Sequence, residues 1–142
     1  MPSLEERTRA IEDRQAVVEL TARYCHMARS GNALGIVDLF CDDGVMEVGD
    51  TVATGRDTLL AMYREAFEDV RPLPCVHNHT VTLDGDRATG CCSVEIRMVQ
   101  NGEAVTAAGH YEDSFRRVGT EWKFAHRNLT LYHQVPHLKG WA

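Results

Sequence analysis

The spacing of apolar residues changes character about halfway along the chain. From Leu4 to Ser30 the residues Leu4, Ile11, Val18, Ala22, Cys25 and Ala28 recur at helical intervals with Glu and Arg between them, which predicts a long amphipathic helix with a break allowed near Asp13. Ser3 followed by Glu6 is a capping box at its start, and Gly31 is a natural stop. A short second helix is expected after Asn32, burying Leu34, Val37 and Phe40 and ended by Asp42-Asp-Gly44. Val45–Val48 reads as a short strand and Asp50–Gly55 as a short extended piece or turn. Leu59, Leu60, Met62, Tyr63, Ala66 and Phe67 predict a third helix over Arg56–Asp69, stopped by Arg71-Pro-Leu-Pro74.

Beyond that point the period is two. Val76–Leu83, Ala88–Gln100, Glu103–Val118 and Glu121–His133 all alternate, with turns at Asp84-Gly-Asp86, Asn101-Gly102 and Gly119-Thr120. Three helices on one side of a long curved antiparallel sheet make an α+β cone whose open end can hold a small molecule. No repeat, low-complexity tract or linker interrupts the pattern, so residues 1–142 are expected to form one domain, with 134–142 as a C-terminal tail.

One residue breaks the strand pattern. Ala107, Gly109, Tyr111, Asp113 and Phe115 share a face, and an acid is depleted at such positions and rarely buried alone. Asp113 either meets solvent at a sheet edge, paired with Arg116, Arg127 or another base, or lines a pocket. The small residues Ala107 and Gly109 leave room above the strand and favour the pocket.

Charge narrows the partners. The formal net charge of −6 lacks the basic footprint that nucleic acids or anionic membranes require. No run is long and apolar enough to span a bilayer, and the first residues do not resemble a secretory signal, so the cytoplasm is the expected location. Five cysteines, an odd number without C-x-x-C spacing, are read as reduced and mostly buried thiols. His126, His133 and His137 show no metal-binding spacing, and glycine-rich phosphate loops and serine elbows are missing, so neither metal nor cofactor is expected. His77 and His79 alternate in phase with Val81 and Leu83 and are expected to point inward, where an imidazole can take a proton near neutral pH.

The element order, with Asp84-Gly-Asp-Arg-Ala88, Gly109-His-Tyr-Glu-Asp113 and Trp122-Lys-Phe-Ala-His-Arg127, resembles the SnoaL-like branch of the nuclear transport factor two-like superfamily, whose fold is a cystatin-like α+β roll. Relatives include ketosteroid isomerases, scytalone and bile-acid dehydratases, polyketide cyclases and limonene epoxide hydrolase, as well as non-catalytic members. The resemblance puts Tyr24 at the oxyanion tyrosine of the isomerases and Asp113 at their protonated aspartic acid. It also puts Val48, Arg29 and Ala28 where relatives carry basic carboxylates or a tyrosine. His77 and His79 fall near the dehydratases' histidine, with His77 preferred because that residue precedes the middle of the strand.

The implied function is a cofactor-independent lyase (dehydratase) or isomerase of a hydrophobic oxygenated molecule such as a steroid, terpenoid, polyketide or aromatic compound. His77 or His79 would be the base, Tyr24 and Asp113 would support the oxyanion, and Tyr111, Val48, Met46, Met62, Met98 and Gly109 would form the pocket wall. A non-catalytic binding or scaffold domain is the alternative, favoured by the missing carboxylate bases. The outward set Glu95, Arg97, His110, Glu112 and Ser114 is expected to form a homodimer contact, as is common in the family.

Overall fold

The computed structural model describes residues 1–140. Helix α1 (Leu4–Ser30) starts on the capping box, with the Ser3 hydroxyl accepting from the Glu6 amide and Glu6 reaching back to the Ser3 amide. It ends at Gly31, whose left-handed backbone closes the last turn. The helix is unbroken at Asp13. Its buried stripe is Val17, Leu20, Thr21, Tyr24, Cys25 and Ala28, whereas Leu4 and Ile11 are exposed. The first turns of α1, up to Glu12, are largely exposed, so apolar spacing there reports no burial.

Helix α2 (Ala33–Val37) buries Ala33, Ile36 and Val37 and leaves Leu34 exposed. Phe40 belongs to strand β1 (Phe40–Val48), which runs through the Asp42-Asp-Gly44 turn signal with a register irregularity between Phe40 and Val45. Strand β2 (Thr51–Thr54) and helix α3 (Arg56–Asp69) follow. Four long strands complete the fold: β3 (Leu73–Asp84), β4 (Arg87–Gln100), β5 (Glu103–Val118) and β6 (Glu121–Pro136). Residues 134–136, expected in the tail, continue β6, and a short 3-10 turn covers His137–Lys139.

The order across the sheet is β2-β1-β6-β5-β4-β3. Neighbours are antiparallel except β1 and β6, which run parallel, so the sheet is mixed and open at both edges. Register shifts in β3 and at two places in β6 mark bulges, each of which bends a strand and tightens its twist. They curve the sheet around α1, and the inward residues of β4, β5 and β6 form one core with Tyr24, Tyr63 and Phe40.

Asp13 holds the exposed half of α1 to the sheet. Its carboxylate accepts from Trp122 Nε1 at 3.1 Å and from Arg117 at 2.8 Å, and that guanidinium also lies over the Trp122 ring. Burial works against the Asp13 charge, but the hydrogen bonds from Arg117 and Trp122 outweigh it and hold its pKa below the ordinary value. Because the folded-state pKa is the lower one, this stability is present above the unfolded-state value and is lost as pH falls through the folded-state value. Asp13→Ala is expected to cost about 1–3 kcal/mol in urea unfolding at neutral pH, with the gap to wild type narrowing in acid. A gap of constant size down to acid pH would contradict the assignment.

Candidate functional site

The centre of the site is an ion pair within the core. Asp113 on β5 and Arg127 on β6 are directly opposite in register, and both side chains are fully buried. Arg127 donates from Nε to one carboxylate oxygen at 3.0 Å and from Nη2 to the other at 3.2 Å, a bidentate fork. The guanidinium carbon sits 3.6 Å from the Tyr111 ring centroid, 4.2 Å from Tyr24 and 4.5 Å from Phe124, so its charge is also met by three π faces.

Arg127 points inward because of a bulge. Phe115 pairs with Phe124 and Ser114 with His126, so Ala125 is an extra residue. Upstream, Trp122 and Phe124 face the core; downstream, the inward phase restarts at Arg127 and continues through Leu129. Strict alternation from Trp122 would turn Arg127 outward. The useful signal was the phase of Leu129 and Leu131, read backwards.

Protonation follows from burial. Burial raises the Asp113 carboxyl pKa, opposed by the Arg127 charge and its donated hydrogen bonds. Burial disfavours the Arg127 charge as well, but Asp113 and the surrounding phenols more than restore it, so its pKa lies above the ordinary value. Two guanidinium donors of Arg127 face the two Asp113 oxygens. With both its oxygens accepting from Arg127, Asp113 anchors that side chain in the core.

Three phenols surround the pair. The Tyr24 and Tyr63 hydroxyls are hydrogen-bonded at 2.9 Å, and the Tyr24 ring meets Tyr63, Tyr111 and Phe124 edge-on. Burial raises the pKa of Tyr24, Tyr63 and Tyr111, so all three stay protonated. The Cys92 thiol, pushed up to about 12 by burial, is likewise neutral.

The two strand histidines separate. His77 pairs with Ser93 and Thr80 with Cys91, so Asn78 and His79 together oppose Cys92. This bulge uses a positive φ of 55° at Asn78, a conformation that asparagine tolerates better than most residues. It reverses the phase: His77 turns to the outer face, 3.7 Å from Glu95, while His79 remains with Val81 and Leu83 on the inner side. The expectation that both point inward is therefore corrected for His77. Gly90, not singled out from the sequence, lies beside His79 and lets the strands approach, since a Cβ there would come within 3.0 Å of the Thr80 carbonyl oxygen and 3.2 Å of the Phe115 ring. Burial and the nearby Arg127 charge lower the His79 pKa, which keeps the imidazole neutral.

Two buried polar atoms in this region have no hydrogen-bond partner among the described residues: His79 Nε2 and Arg127 Nη1. One can accept a proton and the other can donate a hydrogen bond.

The expected wall residues are dispersed. Met46 and Tyr111 are buried in the core, Val48 and Met62 pack against it partly buried, and Met98 lines a cavity at the far end of α1. Ala107 is fully buried, and the space above Gly109 is filled because a Cβ there would come within 1.9 Å of the Thr130 carbonyl oxygen. Gly109 therefore admits the neighbouring strand rather than opening a pocket. Of the outward set, His110 bonds the Tyr132 hydroxyl at 2.6 Å; Arg116, considered as a partner for Asp113, pairs with Asp43 instead.

The model of the SnoaL-like domain matches residues 9–128. The chain belongs to the SnoaL-like domain family. This SnoaL-like chain is 30% identical to an NTF2-like protein with a cystatin-like fold from Novosphingobium aromaticivorans, covering 93% of this chain and 92% of that one at a TM-score of 0.75. A candidate scytalone dehydratase from the same organism superposes at a TM-score of 0.83 with 18% identity, over 90% of this chain and 89% of that one. The structure of LinA gives 0.82 with 16% identity, over 89% and 90%. At such identities the last two establish a shared fold. No curated protein matches the chain.

Removing either member of the buried pair strands the other charge. Arg127→Met or Asp113→Leu alone is expected to cost about 3–5 kcal/mol, and the double variant far less than the sum of the two, in a urea double-mutant cycle. Simple additivity would mean that the two groups do not depend on each other.

Proposed function

We propose that this SnoaL-like domain is a cofactor-independent lyase, in the dehydratase sense, or an isomerase acting on a hydrophobic oxygenated small molecule. The observation that carries the reading is the pair of buried, unpartnered atoms His79 Nε2 and Arg127 Nη1 in one charge-coupled cluster. Leaving such atoms unsatisfied destabilises the fold by about 1–3 kcal/mol each, and a bound substrate oxygen and C–H group would offset that cost.

In the proposed reaction the neutral His79 imidazole removes a proton from a carbon next to an oxygenated centre. The electron pair moves toward the oxygen, where Arg127 Nη1 and a Tyr24 hydroxyl donate hydrogen bonds. In an isomerisation the proton returns from His79 to another carbon of the substrate. In a dehydration the C–O bond breaks instead, and the proton held by His79 leaves with the hydroxyl as water. Asp113 keeps Arg127 charged and fixed in orientation. The fold shared with a candidate scytalone dehydratase supports this reading. The reading also includes a homodimer formed through the outer face around His110, Glu112 and Ser114.

A second reading is a non-catalytic binding domain. It is favoured because Tyr24, Tyr111 and Arg127 are almost fully buried, and none of the described cavities is lined by them or by His79.

A panel of cyclic β-hydroxy ketones and β,γ-unsaturated ketones, followed by ultraviolet absorbance of the conjugated product, separates the two. On an accepted substrate His79→Gln is expected to lower turnover by about 10²-fold or more, while His77→Gln on the outer face leaves it unchanged. The rate at low substrate should fall as pH drops through the His79 pKa, below the ordinary value of 6.5, because protonation removes the base. Full activity in His79→Gln would remove the imidazole from the mechanism.

A further inference from the structure

The end of the cone where α1 stops is built differently from the tyrosine cluster. A cavity of about 530 Å³ lies between the last turn of α1, the end of α3, the start of β3 and the end of β4. Ala28, Phe67, Leu73 and Met98 contribute its apolar surface, and Arg29, Arg71 and Arg97 stand around it without an acidic residue in the lining. The chain as a whole carries 21 acidic against 15 basic residues, so three arginines on one apolar cavity go against the general balance. None of the three side chains makes a hydrogen bond or ion pair among the described residues, whereas Arg56, Arg116, Arg117 and Arg127 each hold a carboxylate.

Part of this arrangement has a local explanation. Arg29 lies in the last turn of α1, where a cation meets the negative end of the helix dipole. Arg71 directly follows the Val70 C-cap of α3 and has a similar local reason, whereas Arg97, on the outward side of β4, has none. Like charges around a low-dielectric cavity repel one another and focus a positive potential into it. An anion with an apolar body would relieve the repulsion and cover the cavity wall together.

We propose that this cavity binds a hydrophobic monocarboxylate, its hydrocarbon part on Phe67, Leu73 and Met98 and its carboxylate on Arg71 and Arg97, with Arg29 adding to the field. The guanidinium fork suits a carboxylate better than a neutral hydroxyl, because two parallel charge-assisted hydrogen bonds form at once. The volume lies in the usual range for small-molecule sites. The site is separate from the proposed proton-transfer cluster and does not rest on it, since none of the cavity's lining residues belongs to that cluster. The two are close: Ala28 is about 6 Å along the α1 axis from Tyr24.

Calorimetric titration with octanoate and, separately, octan-1-ol tests the assignment, because the two probes share a chain and differ in charge. Octanoate is expected to bind saturably at one site, at least about tenfold tighter than octan-1-ol. The double variant Arg71→Gln with Arg97→Gln, both at exposed positions, should bring octanoate down to the level of the alcohol and leave the alcohol's affinity unchanged. His79→Gln should leave both affinities as in wild type, which separates this site from the catalytic proposal. Equal affinities for the two probes, an octanoate affinity untouched by the double variant, loss of octanoate binding in His79→Gln, or no octanoate binding at millimolar concentration would each overturn the proposal.

Discussion

The structure depends on a charge that its core has to accommodate. Arg127 is fully buried, and a guanidinium cannot escape the cost of burial by losing its proton. Its neighbourhood follows from that constraint. Asp113 supplies the opposite charge from the directly paired strand position, and the faces of Tyr24, Tyr111 and Phe124 supply the rest. An apolar pair of similar volume would pack as well at lower cost, so retaining the ion pair is more readily understood through what the cation does than through stability.

The same constraint sets the protonation states of the cluster. Burial and the Arg127 charge lower the pKa of His79, while burial holds the three phenols and the Cys92 thiol protonated. Neutral phenols, a neutral thiol and a neutral imidazole therefore surround the Arg127–Asp113 pair at neutral pH. These are the states that the proposed proton transfer would use, with a base uncharged before the reaction.

Much of this was legible in the sequence, and the limits have physical causes. Strand alternation located β4, β5 and most of β6, and the misplaced acid at Asp113 pointed to the inner face. Alternation fails at bulges, because one extra residue reverses the phase. Asn78 carried His77 to the outside, and Ala125 brought Arg127 in. Asparagine at a left-handed position leaves a faint trace in sequence, and alanine at a bulge leaves none. The helical spacing through Leu4 and Ile11 located α1 but not its buried stripe, which begins only at Val17. Gly109 looked like open space and instead accommodates the Thr130 carbonyl, a contact made across strands and invisible along one.

The central claim is that half-buried His79 is neutral, its buried Nε2 without a partner among the described residues, beside the Arg127 charge. Nitrogen-detected NMR titration of the imidazoles, with the His79 signal assigned by its loss in His79→Gln, measures this directly. The account predicts a His79 pKa below the ordinary value of 6.5, in the direction set by burial and by Arg127. A pKa at or above that value would contradict it, because the ring would then be solvated or paired with an acid and would not be waiting for a substrate.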